Sequence, residues 1–379
     1  MRSWDVHFNM RINIDDRELV SLLAQCHALA SVIGRIPITP SRQARIDRLN
    51  ILRAVRGTTG IEGADLTENE VRLIIDKPNE RTLPLGRERQ EQEGRNAVKL
   101  MKYVARLLTT SLDCPLTEAL IRKLHKITTE KINYDNNIPG KYRDFAVHAG
   151  DYIAPEPEKV RELMKQFIAW FNEEKPTGWD AVVGAIVAHF YVISIHPFGD
   201  GNGRTSRAVE SFLLYRAGIN ARGFYSLANY YYQQRAKYAW YLDHVRFETE
   251  GDLTPFVVFA LKGLAGGLAE VHNEVLLEVQ EIAFRDYARE ELRDKLATES
   301  GKRMLDFIFL LGHDSVSVRS IQRREHALAS LYRGLTTKTL SRDLNYLKER
   351  QLLLLEKGSV RLNLDIMKGF IPPYDVISQ

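Results

Sequence analysis

Cysteine is scarce: the 379 residues hold two, Cys26 and Cys114, far apart and outside any metal-ligand spacing. A disulfide framework and a structural zinc site are therefore not expected, and both thiols are predicted to be small buried apolar residues. No apolar run reaches the length of a bilayer; the nearest, Ala181 to Ile195, is too short and contains His189. The N-terminus, MRSWDVHFNMRINIDD, carries charge where a secretory signal has an unbroken apolar region. These absences predict a cytoplasmic protein with no membrane partner. Strong net charge is missing too, since +4 over the chain is too little to imply nucleic-acid binding by itself. Internal repeats and low-complexity tracts are also wanting.

What remains is mainly helical. Apolar residues recur at three- and four-residue spacing, and alternating β-branched runs are few. Helices are predicted from about Asp16 to Gly34 and Ser41 to Thr59, with a break at IPITP. ADLTENEVRLIID opens another helix behind a capping box of Thr67 and Glu70. KPNERTLPLG is a loop, after which GRNAVKLMKYVARLL and TEALIRKLHKITTEKI are helical, up to the turn formers of NYDNNIPG. Phe145 to Ala154 reads as a small β-hairpin turning at Ala149-Gly150-Asp151. EKVRELMKQFIAWFNEE is amphipathic, and Ala181 to Ile195 looks buried on nearly every side. The helix begun by GRTSRAVESFLLYRAG ends at Gly218, and a further helical region runs from about Thr254 to Ala297, with GLAGGLAE as a weak point. At the C-terminal end Leu340, Leu344 and Leu347 share a helical face, followed by two short strands around Lys357-Gly358-Ser359. That order matches a winged helix-turn-helix. Residues 301–350 hold ten Lys plus Arg against five Asp plus Glu, so any basic surface belongs there.

The chemistry concentrates in HPFGDGNGRTSR, residues 196–207. Gly201, Asn202 and Gly203 precede a helix expected to start near Arg204, so their N–H groups form an anion nest. Asp200 suits Mg²⁺, which takes one or two carboxylates together with substrate phosphates. Arg204 and Arg207, three apart, fit a polyphosphate, and His196 at the other lip of the loop is a candidate base.

This stretch resembles the Fic-family motif, H-x-F-x-[D/E]-G-N-G-R-x-x-R, with every specified position matched. The resemblance implies an all-helical core, from roughly Leu116 to Phe259, that transfers AMP from ATP to a protein hydroxyl on Thr, Tyr or Ser. It implies His196 as general base, Asp200 as Mg²⁺ ligand and Gly201 to Gly203 as the α- and β-phosphate nest. Asn202 and Arg204 are implied phosphate contacts, and Arg207 is the γ-phosphate contact. Phe198 is implied to anchor the loop. The hairpin becomes a flap that holds the target by strand addition, with Val147, His148, Ala149 and Gly150 nearest the nucleotide. Tyr238 is the implied adenine contact; Ala239 stands where the family often has a second tyrosine.

Thr58-x-x-x-Glu62-Gly63 is similar to the inhibitory motif of the family's class II members, [S/T]-x-x-x-E-[G/N]. It implies that Glu62 pairs with Arg207 and leaves the enzyme autoinhibited. The expected organisation is an N-terminal helical region at 1–110, a Fic core at 111–262, a helical linker at 263–300 and a winged-helix-like domain at 301–379. Alternatives remain open: a DNA-binding regulator that uses the Fic domain as a nucleotide sensor, or a Fic enzyme that transfers another phosphate-containing group or removes AMP. So do a homodimer, and DNA or protein as the partner of the C-terminal domain.

Overall fold

A computed structural model describes residues 1–110, 114–134, 136–176, 178–219, 227–312 and 315–370. Asp135 of the NYDNNIPG turn, and Phe224 to Ser226 at the start of the tyrosine-dense segment, lie outside the described residues. The chain forms two compact units, Met1–Glu274 and Val275–Gln379.

The first unit opens with a short strand, β1 (Arg2–Ser3). Helix α1 (Arg17–Arg35) follows, capped by the Asp16 carboxylate, which accepts from the Leu19 N–H at 2.9 Å. Helix α2 (Pro40–Ile61) runs two residues beyond its predicted end and stops where Gly63 turns to φ +88°. The Thr67–Glu70 capping box starts α3 (Glu68–Asp76). Helix α4 (Glu88–Thr110) begins six residues before the stretch singled out in the sequence. Its early residues are polar, yet Glu91 and Glu93 are buried, so apolar periodicity could not reveal this first turn. After α5 (Glu118–Thr129), strands β2 (His148–Ala149) and β3 (Tyr152–Ile153) form the expected antiparallel hairpin. The parallel addition of β1 to β3 was not foreseen, because two residues carry no strand pattern.

Helix α6 (Pro157–Ala169) ends in a π-helical turn, Trp170–Glu174. Helix α7 (Ala181–Ile195) buries all but its first residue and packs against α8 (Asn202–Arg216). Gly218, at φ +78°, ends α8 as expected. Helices α9 (Ala228–Gln233), α10 (Arg235–Phe247) and α11 (Thr254–Glu291) follow. The short helix α9 lies on α2 with no room to spare: a Cβ on Gly57 would meet the Asn229 backbone, and one on Gly60 would meet the Tyr232 ring, each at 2.5 Å. Cys26 is buried and its thiol is pushed up to about 12 by desolvation, whereas Cys114 is only half-buried, contrary to expectation.

Helix α11 is unbroken through GLAGGLAE and ends at Glu291, earlier than predicted. By length and composition it is apolar enough to cross a bilayer, which the search for uninterrupted apolar runs overlooked; 67% of its apolar window is buried in the fold. The two units part inside it, between Glu274 and Val275.

The second unit contains α12 (Glu299–Leu310), β4 (Val316–Ser317), α13 (Val318–Gln322), α14 (Thr337–Glu349), β5 (Leu353–Glu356) and β6 (Ser359–Leu362). Its three-stranded sheet has the order β4-β6-β5. Leu340, Leu344 and Leu347 face a core with Met304, Phe307 and Val360, as the helical spacing required. A buried ion pair, Arg303 to Asp343 at 2.8 Å, ties α12 to α14.

Candidate active site

His196 caps the end of α7 in a left-handed conformation, φ 51°, uncommon for a residue with a side chain. Its Nδ1 lies 3.1 Å from the Ile193 carbonyl, which can only accept, so Nδ1 carries the proton and Nε2 holds a free lone pair. Burial pulls the ring down to about 4; the Arg246 and Arg143 cations act in the same direction and prevail over the Ile193 bond and Glu62. The imidazole is thus neutral near pH 7, as a base must be.

The turn from Pro197 to Gly201 is held from inside. Phe198 is fully buried and stacks on His125 at 3.7 Å, with the planes 5° apart. Asn202 turns its side chain back onto this loop: Oδ1 accepts from the Phe198 N–H at 2.9 Å, and Nδ2 donates to the Phe198 carbonyl at 2.8 Å. The Asn202 side chain therefore holds the loop's shape, while its backbone N–H stands at the start of α8. His125, from α5, accepts from the Gly140 N–H through Nδ1 and donates through Nε2 to the Asp200 carbonyl, both at 2.9 Å. Burial keeps it neutral, pulled down to about 4.

Helix α8 starts at Asn202, two residues earlier than predicted, with Gly201 at φ +75° as its cap. That conformation suits glycine. Neither Asn202 nor Gly203 has an i−4 partner inside the helix, so the nest stands where the sequence put it. Arg204 is buried between two carboxylates, Asp200 Oδ1 at 3.2 Å and Glu93 Oε1 at 3.3 Å. Glu93 also accepts from the Tyr134 hydroxyl at 2.7 Å. The second oxygen of Asp200 has Arg89 at 4.0 Å and the side chain is 38% exposed, which leaves it open to a hard cation. Among the described residues no cluster of three or more His, Cys, Asp or Glu could hold a metal alone. The donor set fits Mg²⁺ that brings its remaining ligands as phosphate oxygen and water.

Arg207 is 2% exposed and fully engaged. Nη2 donates to Glu62 Oε1 at 2.7 Å and to the Thr58 carbonyl at 3.2 Å, while Nε donates to Thr58 Oγ1 at 3.1 Å. The Glu62 carboxyl is lowered from its ordinary value: burial raises it, and Arg207, Arg204 and His196 outweigh that. A Cβ on Gly203 would lie 2.2 Å from Glu62 Oε1, so the carboxylate rests directly on the glycine turn.

Glu62, His196, Asp200, Gly201 to Gly203 and Arg207 line a cavity of about 410 Å³, whereas Arg204 and Thr58, also predicted, lie behind its wall. His148 and Ala149 of the flap form part of its wall, whereas Val147 and Gly150, also predicted, do not. Tyr238 lines it from α10, but its hydroxyl is bonded to buried His189 at 2.9 Å and its ring stacks on Tyr231 at 4.6 Å. Two arginines in this region were missed by the sequence reading. Arg246 lines the cavity and is held by Ser194 Oγ at 3.1 Å and Asp243 at 3.2 Å, with the Tyr152 ring at 4.0 Å. Arg143 donates to three carbonyls: His196 at 2.8 Å, Phe145 at 2.9 Å and Pro155 at 2.5 Å. It thereby fastens both ends of the flap to the base loop. No local pattern marks either arginine; both gain meaning only when α7, α10 and the flap come together.

Residues 115–214 match the Fic/DOC family profile. Over that segment the chain is similar to the Fic/DOC family. Curated relatives include the protein adenylyltransferase Fic of Drosophila virilis, 31% identical over 247 residues, 65% of this chain and 47% of that protein. The Drosophila melanogaster protein of the same name is 31% identical over 248 residues, 65% of this chain and 46% of its own. The chain thus spans under half the length of these relatives. Among solved structures, a Fic family protein from Desulfovibrio desulfuricans G20 shares 21% identity, covering 91% of this chain and 96% of that one with a TM-score of 0.56, a likeness of fold. Fic-1 from C. elegans shares 25% identity over 67% of this chain and 71% of that one, with a TM-score of 0.54. The matched segment begins just before α5, which leaves α2 and α4 outside the profile although Glu62 and Glu93 both reach its arginines.

Proposed function

We propose that this protein transfers AMP from ATP to a Thr, Tyr or Ser hydroxyl of target proteins and of itself, and that Glu62 restrains the reaction. Its relatives named protein adenylyltransferase support the reaction class. His196 Nε2 takes the proton of the attacking hydroxyl; the oxygen bonds to the α-phosphorus, the bond to the β-phosphate oxygen breaks, and pyrophosphate leaves. The N–H groups at the start of α8 and Arg204 hold the phosphates, and Arg207 orients the terminal one. When bound through Asp200, Mg²⁺ supplies charge neutralisation to the triphosphate. The target backbone adds to the free edge of β2, since β3 already has β1 on its other side.

The observation that carries the restraint is the Glu62–Arg207 bond at 2.7 Å, lying over Gly203. A γ-phosphate and Glu62 cannot both take the same guanidinium face, so ATP binds without the alignment that attack at the α-phosphorus needs. The test is label transfer to protein from α-labelled and γ-labelled ATP by wild type and Glu62→Gly. The expected result is strong transfer of the α-label alone by the variant; equal transfer by both proteins overturns the restraint, and transfer of the γ-label alone overturns the AMP assignment.

The C-terminal unit supports a separate reading as a winged-helix DNA contact. Exposed Thr337, Lys338, Ser341, Arg342 and Asn345 on α14 line a groove of about 540 Å³. Such a helix face binds duplex with an affinity that falls steeply with salt. A fluorescent duplex titrated at two salt concentrations checks this; no binding at low salt refutes it.

A further inference from the structure

The N-terminal unit has a second cavity, about 450 Å³, that shares no lining residue with the first. Its wall comes from α4, α5 and the residues that follow α5. The floor is apolar, with Ile74, Val98, Ile127 and the Tyr103 ring. The rim is cationic. Lys99, Lys102 and Arg106 stand three and four apart on α4, hence on one face, with Lys123 from α5 and Lys131 just beyond its end. Glu130 is the sole carboxylate of the lining, and Lys99 is paired with it. Among the described residues Lys102, Lys123 and Lys131 have no carboxylate within ion-pair distance, although Lys123 sits 6.0 Å from the Tyr103 ring centre. Lys131 is held at φ 59°, a conformation that favours glycine, which fixes its backbone at the cavity mouth.

Glu130, whose carboxyl is lowered by Lys99, Lys131 and Lys123, is one anion among several cations, and the positive charge left in excess around a concave apolar floor favours the entry of a further anion. The volume falls in the range of small-molecule sites. We propose that this cavity binds a small organic phosphate, with the ring or carbon skeleton on Tyr103, Val98 and Ile127 and the phosphate among Lys102, Lys123 and Lys131. The proposal does not depend on the assignment of AMP transfer.

Pyridoxal 5′-phosphate is a fitting probe because it joins an aromatic ring, a phosphate and an aldehyde. The aldehyde condenses with a lysine amine, releasing water, and borohydride reduces the imine to a stable secondary amine. The lining of the first cavity contains no lysine, so labelling separates the two sites. The full chain is treated at low stoichiometry and its peptides are mapped by mass. Adducts are expected on Lys102, Lys123 or Lys131 about tenfold above exposed Lys302 and Lys357, with suppression by excess pyrophosphate. Lys102→Glu/Lys123→Glu, both on exposed positions, should abolish that preference and leave the circular dichroism unchanged. Labelling spread evenly over the surface lysines overturns the proposal, as does equal preference with pyridoxal lacking its phosphate. Undiminished labelling of Lys131 in the double variant also overturns it.

Discussion

The two cavities of the N-terminal unit handle cations in opposite ways. Around the first, Arg204, Arg207 and Arg246 are buried and each is already bonded to fixed partners. Around the second, lysines are exposed, and three of them have no carboxylate partner among the described residues. Planar guanidinium forks suit a site whose geometry must be set before substrate arrives, whereas flexible ammonium groups adapt to whatever anion enters. The two buried arginines of the motif differ: Glu62 and Thr58 bond Arg207, whereas Nε and Nη1 of Arg204 have no hydrogen-bond partner among the described residues.

That contrast breaks most visibly at His196. His196→Ala should lower AMP transfer by roughly 10²–10⁴-fold, the usual contribution of a general base, with nucleotide binding retained in equilibrium dialysis. Next comes Glu62→Gly, expected to raise self-modification by about 5–150-fold, the span of typical coupling energies between competing ligands. The variant should also melt at a lower temperature than wild type, because buried Arg207 loses its carboxylate partner, and MgATP should restore more of its stability than it adds to wild type. A scanning fluorimetry series with and without MgATP reads this directly.

Arg143→Ala should loosen the flap. It removes three bonds from a guanidinium to carbonyls, each worth about 1.5–3 kcal/mol, so amide exchange over residues 147–154 should accelerate at least tenfold with the α8 amides unaffected. The smallest effect expected is on pH dependence. His196 and His125 are both pulled down to about 4, below the value of about 6.5 in an unfolded chain. Between those limits the unfolded chain binds more protons, so stability rises with pH from about 4 to 6.5 and is lost as pH falls through that window. His196→Ala should flatten part of this slope in urea titrations at pH 5 and pH 7.

Much of the first cavity could be read in the sequence because its parts are contiguous. His196, Asp200, Gly201 to Gly203, Arg204 and Arg207 occupy one turn and the start of one helix, so spacing alone brings them together. Glu62 came from a local pattern, and its pairing with Arg207 required only that α2 pack near α8. The residues that hold these groups in place were not legible. Glu93, His125, Arg143 and Arg246 come from four separate elements, and each looks like an ordinary surface or core residue until the chain closes on itself. Asn202 carries a second role that its place in the motif did not disclose: its side chain holds the Phe198 backbone. Strand β1 was invisible because two residues carry no periodicity, and only its pairing with β3 gives it meaning. The second cavity left a trace as lysines on one face of α4, which by itself reads as a solvated helix.

The central claim is that a complete AMP-transfer site is restrained through Arg207. Intact-mass measurement of wild type, Glu62→Gly and Glu62→Gly/His196→Ala, each incubated with MgATP, tests it most directly. The account predicts added AMP on most molecules of the single variant and on few of the wild type or the double variant. Equal AMP addition in wild type and Glu62→Gly, or unchanged addition after loss of His196, would contradict it.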